Sequence, residues 1–250
     1  MSVFEKISLI TCMICVGTIL LYQNYGKQIK AVAGEILSTD EKFQNEIKDA
    51  SDIVVVIDPG HGGFDPGKVG MDNELEKDVN LNISRCLRDI LAESEMTVVM
   101  TRDEDEALCG EEAKGKKGAD LKKRVEIINN SGTTLAVSIH QNSFTGSSAK
   151  GGQVFYYENS PEGKMLAHCI QESIRGLDKD NDRVEKDNKS YYILRKSNVP
   201  AVIAECGFLS NEEEAKKLCD NEYQMQLAKK ISEGIISYLN SEVLDYGYNS

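Results

Sequence analysis

Between residues 52 and 240, short β-branched runs alternate with amphipathic stretches, and few folds satisfy that alternation. IVVVID (53–58) ends in the turn residues PGHGG and predicts a buried strand. Further strands are predicted at TVVMTR (97–102), LAVSIH (135–140), GGQVFYYE (151–158), YYILR (191–195) and PAVIAEC (200–206). Residues 73–95 carry apolar side chains at 75, 79, 83, 87, 90 and 91, which is helical spacing. Residues 120–132 open on Asp120 as an N-cap and close on Gly132, predicting a second helix. Pro161 starts a third over 161–177, and 211–219 and 222–239 supply two more. Loops fill 103–118 and the charged stretch 178–189. Strands alternating with helices imply an α/β three-layer sandwich with a mostly parallel central sheet flanked by helices. There is no internal repeat and no sign of a second domain over 52–241, which leaves 242–250 as a tail.

Ahead of this domain, residues 7–22 (ISLITCMICVGTILLY) form an uncharged apolar run. A spanning helix takes roughly 17–25 residues, and Val3 and Phe4 bring the run into that range. Residues 1–24 therefore read as a signal anchor, or as a signal peptide cleaved at AVAG (31–34), and 25–51 as a linker. Either reading exports the domain to the extracytoplasmic side, anchored or secreted, with membrane contact only through the N-terminal segment. The formal net charge of −12 argues against a nucleic-acid partner and against broad attraction to anionic lipid or wall polymer. An anionic substrate would need a few placed cations. Two of the seven cysteines, Cys12 and Cys15, lie in the apolar run. Cys86, Cys109, Cys169, Cys206 and Cys219 are scattered and read as small core residues rather than a disulfide framework or thiolate site.

The chain has three histidines, and two of them sit at the C-terminal ends of predicted strands: His61 in DPGHGG and His140 in SIHQN. Glu205, in PAVIAECGF, ends a third strand. Ligand crevices of open α/β sheets lie at such ends. Three ionisable groups there are costly to desolvate without a reason, and a metal supplies one. Two imidazoles and a carboxylate form a common catalytic zinc set with a fourth position for water. Glu205 could be the carboxylate ligand or the base. If it is the base, Glu76, at the start of the first helix, is the third ligand, with Glu74 as second choice. His168 lies among apolar neighbours in a predicted helix and reads as structural. Lys116, Lys117, Lys122 and Lys123 form a basic cluster that reads as a solvated helix start.

The segments VVIDPGHGGFDPG, ELEKDVNL, VSIHQNS and VPAVIAECGFLSN are similar, in order and spacing, to those of the zinc-dependent N-acetylmuramoyl-L-alanine amidases, over about 53–240. The resemblance implies that His61, Glu76 and His140 bind Zn2+ and that Glu205 is catalytic. It departs at Gln141, where the family carries a small residue, and this predicts an altered groove beside the metal. The implied substrate is peptidoglycan, cut at the amide between the muramic acid lactyl group and L-alanine, with no covalent intermediate. Cys206 adjoins Glu205 but alternation turns it to the other face. Arg195, on the strand before Glu205, is expected to meet a stem-peptide carboxylate, and Asn142 a substrate amide. A compact domain behind an apolar segment looks most like the sporulation-type amidases, which prepare spore cortex for muramic-δ-lactam formation in the forespore intermembrane space. Vegetative wall turnover or cell separation is the other setting. Ligands from two loops and a helix start are loosely preorganised, which leaves a place for an accessory or activating protein.

Overall fold

A computed structural model describes residues 50–248, apart from 71, 111–114, 131 and 147. The apolar N-terminal run and the cleavage stretch at 31–34 lie outside the described residues, as does the linker up to residue 49. Among the described residues no helix is long and apolar enough to cross a membrane.

A six-stranded sheet forms the centre, built from β1 (Val54–Pro59), β2 (Thr97–Met100), β3 (Leu135–Asn142), β4 (Gln153–Tyr157), β5 (Lys186–Asn188) and β6 (Ala201–Phe208). Its order is β2-β1-β3-β6-β4-β5. The first four strands in that order run parallel; β4 is antiparallel to β6, and β5 is parallel to β4. The helices are α1 (Glu76–Glu93), α2 (Lys116–Asn130), α3 (Pro161–Arg175), α4 (Tyr192–Lys196), α5 (Glu212–Leu218) and α6 (Asn221–Tyr248). Alternation sorts the strands into two faces. Val56, Ala136, Phe155, Ala201 and Ile203 face one way and pack on Val125 and Ile128 of α2 and on Ile193 and Leu194 of α4. The other face is covered by α1, α3 and α6, which also pack on one another. The three-layer α/β sandwich is therefore present.

Four local expectations differ. YYILR is no strand: Ile193 and Leu194 are both buried, and the turn closes as a helix through Ser197 N donating to Ile193 O at 2.9 Å. Its β-branched and aromatic content suits a strand, but β3 and β4 already occupy both edges of β6. Asp120 is not an N-cap. Helix α2 begins at Lys116, after Gly115 at φ 65°, and Asp120 lies in its second turn, accepting from Leu108 N and Arg124 Nε. The charged stretch 178–189 contains the short edge strand β5, whose polar side chains hide it from any hydrophobic pattern. Helix α6 continues to Tyr248, through the expected tail.

Two arginines are fully buried beneath the C-terminal end of β1. Arg124 Nη1 donates to Asp58 Oδ1 and to Pro59 O, both at 2.7 Å, and its Nε donates to Asp120 Oδ2 at 2.6 Å. Thr101 and Ser138 hydroxyls each donate to Asp58 at 2.6 Å. Burial pushes the Asp58 carboxyl up, but Arg124 and the two hydroxyls outweigh it and hold the group below its ordinary range. Arg102 donates only to carbonyls: Pro59 and Gly60 on the strand end, Lys77 on α1 and Glu104 on the next loop. Removing one partner of a buried ion pair costs about 3–5 kcal/mol. Arg124→Met should therefore lower unfolding free energy by about that amount in urea titration, and Asp58→Asn added to it should restore part of the loss.

Candidate metal centre at the strand ends

The chain leaving β1 turns sharply. His61 has φ 63°, a left-handed conformation unusual outside glycine, and Arg124 Nη2 donates to its carbonyl. The imidazole Nδ1 lies 3.0 Å from Asp65 Oδ2. An ionised carboxylate only accepts, so this contact keeps a proton on Nδ1 and turns Nε2 toward the cluster. Burial pushes the Asp65 carboxyl up, but bonds from His61 and Lys117 hold it below its ordinary value, so it stays ionised. His61 Nε2 points inward and sits 3.2 Å from Glu76 Oε1.

His140, near the end of β3, approaches the same oxygen, with Nδ1 3.0 Å from Glu76 Oε1. The two imidazoles meet edge to face, with centroids 5.0 Å apart. One ligand atom from each of His61, Glu76 and His140 lies within 4.8 Å of the others. Glu76 is the first residue of α1 and is 4 % exposed. Backbone amides of Lys68 and Gln141 donate to its two oxygens, at 2.7 and 3.1 Å. Burial raises its pKa, but bonds from both histidines outweigh that and hold it far below the usual carboxylate range. Glycine is required at position 60, where a Cβ would stand 2.3 Å from the His140 ring.

Glu205 pairs in register with His140 across β3 and β6. Alternation puts Asp58, Ser138, His140 and Glu205 on one face of the sheet. Glu205 is 8 % exposed, and its buried Oε2 has no hydrogen-bond partner. Burial pushes it up to about 7, with Glu76 adding to the rise and the histidines opposing it. Two adjacent carboxylates are thus driven apart, one fixed as an anion and one free to take a proton near neutrality.

The donor set fits a divalent cation. Two imidazole nitrogens and one carboxylate oxygen converge on one point, held from behind by Asp65 and by Asn80, whose Nδ2 donates to Gly60 O at 3.1 Å. Glu205 is not among the residues whose ligand atoms converge, although the charges of His140, Glu76 and His61 all act on it. Glu74 lies elsewhere, its Oε2 accepting from Asp72 N at 2.9 Å.

Other expected residues fall differently. Asn142 sits half-buried at the end of β3, its Oδ1 accepting from Ser143 N at 2.7 Å. Arg195 is not brought to the site. It stands on α4 and lines a separate cavity of about 490 Å³ with Tyr157, Ser160 and Ala201, at the N-terminal end of β6. Its residue run forms a helix before β6 rather than a strand beside it. Gln141 does not shape the groove: it is 3 % exposed and its Nε2 donates to Asn80 Oδ1 at 3.2 Å on the opposite face. Cys206 is also turned to that face, its thiol pushed up to about 12 by burial. All five described cysteines are free, and only Cys206 is buried. Lys117 lies exposed in the first turn of α2, as expected of a solvated helix start, and also pairs with Asp65 at 3.0 Å. Asp65 and Asn80 were legible as polar residues spaced four from a ligand, but nothing in the sequence set them apart.

The family described as N-acetylmuramoyl-L-alanine amidase (amidase 3) matches residues 55–237. The chain belongs to this amidase family. A germination-specific N-acetylmuramoyl-L-alanine amidase of Bacillus subtilis is 38 % identical over 192 residues, spanning 76 % of this chain and 81 % of the relative. The CwlD amidase of Clostridioides difficile, solved in complex with the GerS lipoprotein, is 42 % identical with a TM-score of 0.73, covering 75 % of this chain and 98 % of its own. The catalytic domain of CwlV, from Bacillus (Paenibacillus) polymyxa var. colistinus, is 32 % identical with a TM-score of 0.66, covering 75 % and 98 %. This member of the amidase family is thus a peptidoglycan hydrolase with its conserved-fold domain at 55–237.

The raised Glu205 carboxyl has a measurable consequence. A folded-state pKa lifted from 4.5 to about 7 confers stability that is complete below pH 4.5 and lost as pH rises through 7. At 1.36 kcal/mol per unit the loss is about 3 kcal/mol in the metal-free protein. Glu205→Gln should abolish that part of the pH dependence in denaturant titrations at pH 4.5 and 8.

Proposed function

We propose that this chain hydrolyses the amide between the lactyl group of N-acetylmuramic acid and the L-alanine of the stem peptide, with zinc held by His61, Glu76 and His140. The observation that carries the reading is Glu205, a buried, protonatable carboxyl with a free oxygen, in register with one histidine of the cluster. Bound zinc supplies Lewis acidity, which acidifies water and polarises the scissile carbonyl. Glu205 Oε2 takes the proton of the attacking water and returns it to the leaving amine. Asp65 keeps the His61 proton on Nδ1, so that Nε2 remains a donor to the metal. The Asn142 amide, at the rim, hydrogen-bonds a substrate amide. No side chain here is an activated nucleophile, since the nearest thiol, Cys206, faces away.

The setting we infer is the spore cortex. The germination-specific and CwlD relatives support it, and the lipoprotein bound to CwlD supports an extracytoplasmic accessory protein for this chain. The N-terminal apolar run would deliver the enzyme there, anchored or secreted.

A digest of purified peptidoglycan, read by mass spectrometry with and without added zinc, tests the reaction. Release of intact stem peptides with free L-alanine amines is expected; cuts inside the peptide would point to a peptidase instead. Glu205→Gln should keep its zinc and lose cleavage by about 100-fold or more. His61→Ala and His140→Ala should each lower zinc content by elemental analysis, and unchanged stoichiometry would reject the ligand set.

A further inference from the structure

On the sheet face that carries Glu205 lies an aromatic pair that the mechanism so far leaves unused. The rings of Phe155 and Tyr191 meet edge to face, with centroids 5.6 Å apart and planes at 87°. In the β4–β6 ladder Phe155 stands opposite Ile203, and Gln153 stands opposite Glu205. Side chains two positions apart share a face, so Phe155, Ile203 and Glu205 point the same way, with His140 next to Glu205.

The base of Tyr191 is fixed. Its N–H donates to Asn188 Oδ1 at 2.8 Å, and its carbonyl accepts from Arg195 N at 3.1 Å as α4 begins. The ring is held by the edge contact with Phe155. What is left over is the hydroxyl. No described residue hydrogen-bonds it, and it is not one of the buried polar atoms sealed from solvent. Burial, then the charges of Glu205 and Glu76, push the phenol up to about 12. Both carboxylates of the metal centre therefore act on this ring, and at any working pH it remains an O–H donor.

A tyrosine used only for packing would be served as well by phenylalanine, because the stacked contact uses the ring. A donor that is immobilised, unpartnered and open to solvent, on the face and within the field of a carboxyl with its own unpartnered oxygen, is instead matched to an acceptor that arrives from outside. We propose that Tyr191 is a substrate-binding residue of this active site, its hydroxyl donating a hydrogen bond to a carbonyl oxygen of the glycopeptide beside the scissile amide. The proposal rests on the amidase reading above, whose substrate presents such carbonyls on both sides of the bond cut.

The test is Tyr191→Phe in the full, zinc-loaded chain, with kcat and KM measured on purified muropeptides that carry intact stem peptides. Tyr192→Phe serves as the neighbouring control. Tyr191→Phe should lower kcat/KM by about 10- to 100-fold, the range for one lost hydrogen bond to bound substrate. Zinc content and Tm should match the parent protein, and Tyr192→Phe should keep the parent kcat/KM. Undiminished kcat/KM in Tyr191→Phe overturns the assignment. A loss accompanied by a matching fall in zinc content or Tm overturns it too, because the hydroxyl would then act on the fold or the metal. A parent protein that cleaves no muropeptide overturns the amidase reading itself, and this assignment with it, and is recognised by the inactivity of the unsubstituted chain.

Discussion

The ion pair between Arg124 and Asp58 is the contact on which the site depends. A strand end that turns directly into a ligand-bearing loop leaves carbonyls with no ladder partner, and such groups are costly to bury unpaired. Arg124 and Arg102 take up this need, gathering Pro59, Gly60 and His61 carbonyls into one set of charge-assisted bonds. Asp58 keeps the guanidinium compensated, and Asp120 completes it from within α2. Through these contacts the helix that covers one sheet face also fixes the backbone that presents His61. Stability and ligand geometry are therefore carried by the same few bonds.

Above that base, two glutamates of equal intrinsic acidity acquire different chemistry. Glu76 receives backbone amides and both imidazoles and is locked as an anion. Glu205 has a comparable degree of burial but keeps one oxygen unpaired, so desolvation dominates its behaviour. The contrast comes from position rather than residue type: one carboxylate opens a helix amid donors, and the other projects from an apolar strand toward its C-terminal end. It agrees with the assignment of one as ligand and the other as proton acceptor.

The α/β class was legible because parallel strands buried on both faces read as unbroken β-branched runs, and IVVV and AVIA are such runs. His61, His140 and Glu205 were legible because strand ends are where an α/β sheet does its chemistry. Glu76 was preferred to Glu74 from its place at the helix start, and the resemblance to the amidases reinforced the choice; in three dimensions the distinction is plain, since Glu76 meets both histidines. What escaped the sequence depends on long-range partners. Strand β5 is polar, and only the exposed edge of β4 makes it a strand. YYILR carries strand-like residues but had no free edge to join, and Arg195 went with it to the far end of β6. Asp120 has the side chain of an N-cap, yet its real partner, Arg124, was visible only as a neighbour one turn on. Tyr191 had no local signature at all, because its relation to Glu205 is created by the β4–β6 register.

The reversal of β4 has an architectural consequence. Strand β3 ends at the metal centre, and because β4 runs antiparallel to β6 it begins beside Glu205, so the connection over 143–152 leaves and re-enters the sheet on the same rim. A parallel β4 would have required a crossover back to the opposite end. This short connection, with Phe144 63 % exposed within it, can lengthen or change its side chains without moving a strand. It is the stretch of chain through which one scaffold can be refitted to glycopeptides of different shape while the metal ligands stay where they are.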